Sequence, residues 1–335
     1  LANTQAPGVR PRDMHTTERI TLARLPSGVP LVTTVHRYHG PEGPDAGPTL
    51  YVQAAQHGRE INGTEVLRRL HDSLRDADIS GTVLTVPVAD PLTFDRKSYT
   101  TPEVLDSVNA NMNRVWPGDP EGSLHQRMAA TLWEYAADAD AVVDLHTGSP
   151  DMLTHTVYQR DDARCRELAE AFGTDLLLAE TAGEDADPEW ADRDFGGKFR
   201  VAAREAGIPA ITPELAHSKQ LVEPAIETGL QGLENVLRHL GIREGEPETP
   251  DEYRRARNHL GRATADASGL FRPDPDLELG AQVTAGERLG EVTDPTTFET
   301  LATVRAEESG VVYSVTREAT VCAGDTLVGV ALPLE

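Results

Sequence analysis

Cysteine is nearly absent from this chain of 335 residues, which contains only Cys165 and Cys322. Neither lies in a C-x-x-C pair, so two isolated thiols are expected rather than a disulfide framework. Long apolar runs are missing too, since no stretch approaches the ~18 residues of a membrane helix. Residues 1–19 lack the charged start and apolar core of a signal peptide. We therefore expect a cytoplasmic protein with no membrane partner.

Lysine is equally scarce, because it occurs only at Lys97, Lys198 and Lys219 and leaves arginine to supply 28 of the 31 basic residues. The formal net charge is −24. A surface this acidic makes nucleic acid and anionic membranes poor partners. The composition fits a protein kept soluble at high salt, where self-repulsion is screened. It fits equally well a GC-rich genome that favours arginine, aspartate, glutamate and alanine codons.

Apolar strands alternate with amphipathic helices through most of the chain. Strand patterns cover residues 49–55, 82–88, 141–145, 176–179 and 209–212, and helical spacing covers 62–75, 124–137, 161–172, 199–206 and 223–240. This alternation predicts an α/β fold with a mixed, largely parallel sheet and helices on both faces. Residues 17–23 and 29–35 predict a preceding hairpin. Residues 91–120 show no clean period, and a connection of this length is functional or poorly ordered.

Residues 243–257 form a charged segment that we interpret as a linker or a short helix. Beyond it the sequence is β-rich, contains frequent glycine and shows no long helical period. Residues 283–292 resemble residues 321–330, and 268–271 resemble 309–312. Two similar β-units with glycine turns predict a small barrel-sandwich with internal two-fold symmetry. We therefore divide the chain into a hydrolase domain (1–245), a linker (246–257) and a β-rich domain (258–335).

Three residues with metal-binding side chains follow the ends of predicted strands. His57 and Glu60 come directly after strand 49–55, and His146 comes after strand 141–145. Ligands bind at the carboxyl edge of open α/β sheets. Two imidazoles and one carboxylate suit Zn²⁺ and leave a fourth position for water, as in catalytic sites. Asp144 either supports His146 from behind or faces the other side of its strand.

Hydrolysis also requires a group that accepts a proton from water and passes it to the leaving amine. Glu214, which follows strand 209–212, is the best-placed carboxylate; the alternative is a surface glutamate or helix cap. Arg114 lies in a loop bounded by proline and glycine and could bind a substrate carboxylate, with Asn113 adding a hydrogen bond. Arg96 could supply another cation. The alternative for both arginines is ordinary surface ion pairing.

These motifs occur in an order that resembles the zinc carboxypeptidase superfamily. They are His57-x-x-Glu60, Asn113-Arg114 before Pro117-Gly118, Asp144-x-His146 and Glu214. The β-rich tail makes the chain similar to the succinylglutamate desuccinylase/aspartoacylase branch. The resemblance implies a carboxypeptidase-like α/β fold with a lipoyl/biotinyl-like tail and one Zn²⁺ per chain. It also implies roles for individual residues, namely metal ligands at His57, Glu60 and His146, a catalytic base and acid at Glu214, and substrate binders at Arg114, Asn113, Arg96 and Arg59.

The expected function is therefore a zinc amidohydrolase that removes an acyl group from an N-acyl amino acid. Within the branch the chain is most similar to deacetylase-type members, including those that act on N-acetyl-diaminobutyrate; N-succinylglutamate and N-acetylaspartate are other candidate substrates. Two alternatives remain, a metallocarboxypeptidase that cuts peptides and a non-catalytic binding protein with the same fold. A swinging-arm carrier is excluded because no lysine follows Lys219. The tail is expected to shape the mouth of the site or to mediate homo-oligomer formation.

Overall fold

The computed structural model describes residues 14–102, 106, 108–182, 186–190 and 195–334. The helices in this part of the chain are α1 (Asn62–Leu74), α2 (Pro91–Arg96), α3 (Leu124–Ala136), α4 (Ala163–Phe172), α5 (Phe199–Glu205) and α6 (Glu223–His239), with short 3-10 turns at Met112–Arg114 and Pro188–Trp190. The strands up to residue 217 are β1 (His15–Arg24), β2 (Pro30–His39), β3 (Thr49–Ala54), β4 (Thr82–Val86), β5 (Ala141–Gly148), β6 (Asp151–Met152), β7 (His155–Gln159), β8 (Leu176–Glu180) and β9 (Ala210–His217). The strands that follow are β10 (Arg254–Thr264), β11 (Gly269–Pro273), β12 (Gln282–Val283), β13 (Arg288–Thr293), β14 (Thr300–Arg305), β15 (Gly310–Val315), β16 (Thr320–Val321) and β17 (Thr326–Pro333).

One sheet of 13 strands runs through the molecule in the order β1-β2-β4-β3-β5-β9-β7-β8-β10-β17-β15-β12, with β6 paired to β15. The pairs β4–β3, β3–β5, β5–β9, β7–β8 and β8–β10 are parallel, whereas β9–β7 is antiparallel. The pairs β1–β2, β2–β4, β10–β17, β17–β15 and β15–β12 are antiparallel as well. The predicted mixed sheet is thus confirmed, and it is largely parallel in its central part, from β4 to β10. The parallel strands β3, β5 and β9 place their carboxyl ends side by side, which is where the candidate site is expected.

Helices cover both faces of this sheet, as predicted. On one face α1, α4 and α6 pack over alternate residues of the central strands, such as Val52, Val143 and Ile211. On the other face α3 and α5 pack over the intervening residues, such as Tyr51 and Val142. Because side chains alternate along a strand, each central strand presents one set of residues to each layer of helices. Both faces are apolar near the middle of the strands, so burial of these faces holds the helices in place.

The tail forms the predicted barrel-sandwich. A 4-stranded sheet, β14-β13-β11-β16, faces the strands β10, β17, β15 and β12, and the two layers enclose a separate apolar core. The repeat is visible in the turns that begin at Val283 and Val321. Gly286 and Gly324 occupy equivalent positions with φ of +84° and +94°, a conformation that favours glycine.

Side chains around these two turns repeat the same hydrogen bonds. Glu287 accepts from the amide of Thr284, and Asp325 accepts from the amide of Cys322, at 2.9 and 2.7 Å. The hydroxyl oxygens of Ser309 and Ser268 each accept from an alanine amide of the facing turn, both at 3.0 Å. The internal two-fold symmetry read from the sequence is therefore confirmed in the hydrogen bonds as well as in the chain path.

Several elements differ from the sequence prediction. Strands β5 and β9 continue to Gly148 and His217, because they pair with each other beyond the predicted ends. Strands β6 and β7 were not predicted, and β7 fills the gap between β9 and β8. The first residues of β10 lie in the segment interpreted as a linker, where they pair in parallel with β8. One strand thus crosses the predicted border between residues 257 and 258, and the division into domains stays a prediction.

None of the helices in the described ranges combines the length and the apolar character that crossing a bilayer requires.

The helical layer over the sheet provides a direct test of this packing. Leu70 on α1 is fully buried in the core beneath α1, α4 and α6, whereas 59% of Leu221 is exposed. Leu70→Ala should lower the free energy of unfolding by about 2–5 kcal/mol, because it removes buried methyl groups and leaves a cavity. The same truncation at Leu221 should change it by less than ~0.5 kcal/mol. Chemical denaturation monitored by circular dichroism measures both, and equal losses would contradict the assignment of the core.

Candidate metal centre and active site

Polar residues on one face of the central strands converge beyond the apolar core. Val143 and Leu145 belong to the core under α1, so alternation places Asp144 and His146 on the opposite face of β5. His146 is paired in register with Glu214 on β9. The sequence predicted both residues to follow their strands, and the structure places them inside longer strands. The result is that their side chains are held by a continuous sheet rather than by loops.

The loop after β3 brings His57 and Glu60 to the same place. The backbone turns sharply at Ala55, which has φ of +51°. Gly58 lies so close to α2 that a Cβ atom there would be 1.9 Å from the carbonyl carbon of Thr93. Glycine is therefore required for this close approach.

The three predicted ligands meet in a buried group. Each of His57, Glu60 and His146 offers one ligand atom, and these atoms all lie within 4.8 Å of one another. The Nδ1 atom of His146 is 3.0 Å from Oε2 of Glu60. Two imidazoles and a carboxylate at this spacing form a set that could hold a metal ion with one position open.

Hydrogen bonds behind the ligands fix the nitrogen that each imidazole turns inward. His57 donates from Nδ1 to the carbonyl oxygen of Tyr99 at 3.0 Å, which leaves its Nε2 for a metal. His146 bonds through Nε2 to Asp144 at 2.8 Å, which leaves its Nδ1. Asp144 therefore supports His146 from behind, and the alternative orientation is excluded. Such outer partners are typical of metal-binding histidines, so the donor set fits a metal ion such as Zn²⁺.

The electrostatics of the cluster also fit a bound cation. Burial alone would lower the pKa of His146, but Asp144 and Glu60 together raise it well above its usual value. Burial lowers the pKa of His57, so this ring is neutral at pH 7 and able to act as a ligand. Two buried carboxylates around one imidazole leave an excess of negative charge that a bound cation would balance.

Asp144 is itself held by two glutamine side chains. Gln53 and Gln56 donate to its two oxygens at 3.1 and 3.2 Å. The oxygen of Gln56 in turn accepts from the indole of Trp116, and the oxygen of Gln53 accepts from Tyr51 at 3.0 Å. This chain of buried bonds fixes the carboxylate behind His146, and nothing in the sequence motifs indicated it.

Glu214 stands opposite the ligand group on the next strand. Its side chain is partly buried, and burial raises its pKa to about 7. His146 on β5 and His155 on β7 flank it in register. Ala216, two residues further along β9, has φ of +56°, so the backbone is strained next to this carboxylate. A carboxyl group that gains and loses a proton near neutrality is suited to general acid–base chemistry.

The ligand group and Glu214 line a cavity of about 830 Å³. Its described lining contains more basic than acidic side chains, although the chain as a whole is strongly acidic. The acidic ones are Glu60, Glu214 and Glu318, and the basic ones are Arg59, Arg114, Lys198, Arg200, Lys219, Arg262 and Arg317. Two of the three lysines in the chain are in this set. The cavity is thus suited to an anionic group.

Three residues that line this cavity each carry one polar atom that is buried without a partner in the described part of the chain. These atoms are Nε of Arg59 and the hydroxyl oxygens of Thr147 and Thr212. Unpaired buried polar atoms are uncommon in native proteins, and each invites an explanation. The three atoms belong to residues of the cavity wall, so the hydrogen bonding of this wall is incomplete.

Asn113 and Arg114, both predicted substrate binders, line the cavity. The Asn113 amide oxygen accepts from the amide of Phe199 at 3.1 Å, and its nitrogen is 3.5 Å from Nε2 of His146. Arg114 is exposed, and its Nη1 donates to the carbonyl oxygen of Asn113 at 2.6 Å. Gly197 packs against this turn so closely that a Cβ there would be 2.1 Å from the Arg114 oxygen. Gly197 therefore holds this turn in place, while the Arg114 guanidinium stays accessible.

The other two predicted binders differ in placement. Arg59 lies over the ring of Tyr99 at 5.0 Å and donates to the Ser149 hydroxyl at 2.5 Å, on the cavity wall. Arg96 is in the last turn of α2, is exposed and does not line the cavity. The structure therefore brings Arg59 to the ligand group and leaves Arg96 outside it, because α2 directs that residue to solvent.

Several cavity residues were not found from the sequence. Tyr99 stacks on His57 with ring centroids 4.0 Å apart, which also explains its place beside Arg59. Lys198 is buried, and burial together with Arg200 lowers its pKa to about 7. Arg200 forms a buried ion pair with Glu180. The rarity of lysine was the one sequence signal that could have marked Lys198 for attention.

The tail contributes part of the cavity wall. Tyr313 on β15 meets His155 edge-on with ring centroids 5.5 Å apart. Arg262 on β10 and Arg317, after β15, add cations to the lining. A role of the tail in shaping the mouth of the site, one of the two expectations from the sequence, is in accord with this placement.

Comparisons with known proteins agree with this geometry. The model of the succinylglutamate desuccinylase/aspartoacylase catalytic domain matches residues 46–240. The N-alpha-acetyl-L-2,4-diaminobutyric acid deacetylase of Halomonas elongata is 31% identical over 306 residues, which cover 86% of this chain and 83% of the relative.

Two solved structures share the fold with a TM-score of 0.81. The succinylglutamate desuccinylase/aspartoacylase of Rhodobacter sphaeroides is 25% identical and matches 96% of both chains. The product-bound ectoine utilization protein EutE (DoeB) of Ruegeria pomeroyi is 23% identical and matches 98% of this chain and 97% of its own. The resemblance read from the motifs is confirmed: the chain belongs to the succinylglutamate desuccinylase/aspartoacylase family.

Proposed function

We propose that this chain is a metal-dependent amidohydrolase that removes the acyl group from an N-acyl amino acid, with N-acetyl-2,4-diaminobutyrate as the first candidate. The observation that carries the proposal is the buried group of His57, Glu60 and His146 beside Glu214, with all four residues lining one cavity. The relative from Halomonas elongata, whose name describes this deacetylase activity, supports the choice of substrate. A binding protein that had lost catalysis would be expected to lack a ligand or the base, and all four residues are present.

We assign one catalytic Zn²⁺ to His57, Glu60 and His146. When bound there, the ion supplies Lewis-acid chemistry, which polarises a carbonyl and lowers the pKa of water. The protein's part is to hold the three donor atoms in place. Asp144 fixes the ring of His146, and the Tyr99 carbonyl fixes the ring of His57.

Glu214 acts as general base and then as general acid. As the carboxylate it accepts a proton from the attacking water, and as the acid it delivers that proton to the nitrogen of the leaving amine. Its raised pKa of about 7 makes both forms accessible near neutral pH. The sheet holds it against the ligand group, so no rearrangement is needed between the two transfers.

Cations on the cavity wall bind the carboxylate of the substrate. Arg114 offers a planar guanidinium for a bidentate pair, and Asn113 offers an amide beside it. Arg59 lies over the ring of Tyr99, which itself stacks on His57, and its guanidinium would interact with the acyl oxygen or its developing charge. The orientation of the substrate is thereby set from both ends of the amide.

The excess of basic side chains favours a second candidate substrate class, N-acylated acidic amino acids such as N-acetylaspartate or N-succinylglutamate. A panel of these two compounds and N-acetyl-2,4-diaminobutyrate, assayed for amine release with added Zn²⁺, separates the candidates by kcat/KM. An N-acetylated dipeptide with a free C-terminal carboxylate extends the panel to the carboxypeptidase alternative, and the same dipeptide as its C-terminal amide is the control that a carboxypeptidase should not cut. The tail wall opposes long peptides, so turnover of peptides above that of all N-acyl amino acids would contradict the proposal.

The assigned base gives the first test. Glu214→Gln preserves shape but cannot accept the proton, so kcat should fall by about 10²–10⁴-fold. Zinc content measured by elemental analysis should stay the same, because Glu214 is not a ligand. Glu318→Gln, a matched change at another glutamate of the cavity wall, should keep most of its turnover. Wild-type kcat in Glu214→Gln would remove the residue from this role.

The metal centre gives a second test. His146→Ala should lose one equivalent of bound zinc, and Asp144→Asn should weaken zinc affinity by about 10–100-fold, because the imidazole loses its outer partner. The control is Asp138→Asn, the same change in the exposed turn before β5, which should leave affinity unchanged. Competition with a chromophoric chelator measures each constant. Equal zinc affinity in Asp144→Asn and Asp138→Asn would show that the carboxylate does not support a ligand.

A further inference from the structure

A second group of converging side chains lies away from the cavity, on the hairpin of β1 and β2. His15 on β1, His36 on β2 and His71 on α1 each offer one ring nitrogen, and these nitrogens lie within 4.8 Å of one another. All three rings are half-buried, so the group is open to solvent on one side. The mechanism proposed above uses none of these residues.

The spacing of one pair of these nitrogens matches that of two ligands of a tetrahedral metal ion, and the third lies within 4.8 Å of both. Nε2 of His15 and Nδ1 of His36 are 3.2 Å apart. Two nitrogens bound at 2.0–2.1 Å to one tetrahedral Zn²⁺ are about 3.3 Å apart. Ring stacking accounts for the near-parallel pair of His15 and His36, at 16°, but not for His71, whose ring is tilted by 59° and 66° to them.

The third histidine has an outer partner. Nδ1 of His71 is 2.9 Å from the hydroxyl oxygen of Tyr38, a buried residue of β2. When Nδ1–H donates to this oxygen, Nε2 is left free to bind a metal. The arrangement repeats the outer bonds that orient His57 and His146.

We propose that His15, His36 and His71 form a second metal site, for a divalent ion that prefers imidazole, such as Zn²⁺. Three neutral imidazoles suit Zn²⁺, Ni²⁺ or Cu²⁺ and disfavour Mg²⁺ and Ca²⁺, which take oxygen ligands. The ion would connect β1, the outermost strand of the 13-stranded sheet, to β2 and α1. It would therefore hold the edge strand and hairpin against the helical layer.

The two metal groups are separated by the length of α1. The helix begins two residues after Glu60, and His71 lies nine residues into it, about 14 Å along the axis. Loss of the hairpin site should therefore leave turnover intact. The proposal is independent of the proposed function, because it depends on different residues.

The test counts metal on the full chain after chelation and dialysis, by titration with Zn²⁺ against a chromophoric chelator. Wild type should bind two equivalents and His36→Ala one, with kcat for the substrate within twofold of wild type. His39→Ala is the matched control, since His39 lies on the same strand but bonds to the Gly40 carbonyl oxygen at 2.8 Å. It should keep both equivalents.

A second series isolates the hairpin site. In the His146→Ala background one equivalent should remain, and Zn²⁺ should raise the unfolding midpoint. Adding His36→Gln or His71→Ala should abolish both effects, whereas adding His39→Ala should not. Two equivalents in His36→Ala, or no zinc-dependent rise of the midpoint in His146→Ala, would overturn the proposal. If the active-site assignment alone is wrong, wild type binds one equivalent, which His36→Ala removes and His146→Ala keeps.

Discussion

The burial of two carboxylates against one imidazole is the constraint on which the site depends. Asp144 and Glu60 lie on either side of His146, and all three are almost fully buried. Buried charge is costly unless it is paired and hydrogen-bonded. Gln53, Gln56 and the amide of Thr147 supply part of the compensation. The charge that remains is negative, so the cluster formed by His57, Glu60 and His146 is suited to a cation.

Charge is distributed unevenly in the molecule. The chain carries a net charge of −24, yet the cavity wall is predominantly basic in its described part. The Arg200–Glu180 pair is fully buried, and Asn258 of the tail donates to the second oxygen of Glu180 at 2.6 Å. Such a pair is retained for position rather than for stability, because an apolar replacement is often at least as stable. The pair holds the Arg200 guanidinium at the wall of the cavity, although the chain as a whole is strongly acidic.

The sequence located the residues whose position follows from strand ends and missed those placed by tertiary contacts. His57, Glu60, His146 and Glu214 could be grouped because parallel strands align their carboxyl ends. The orientation of Asp144 could not be decided, since the true end of β5 depends on its pairing with β9. Tyr99 comes from a segment without a clean period, and its position depends on stacking against His57. Arg96 was a candidate substrate binder in the sequence, but its position on α2 leaves its side chain exposed to solvent.

The tail is an internal repeat that also forms part of the cavity wall. Its two β-units keep matching turns and hydrogen bonds, as a free-standing module would. Yet β10 joins β8 on one side and β17 on the other, so backbone hydrogen bonds run continuously from the catalytic sheet into the module. A wall tied in this way cannot swing aside without breaking a parallel strand pair. Tyr313 and Arg262 of the cavity wall are therefore held by the same continuous sheet that carries His146 and Glu214.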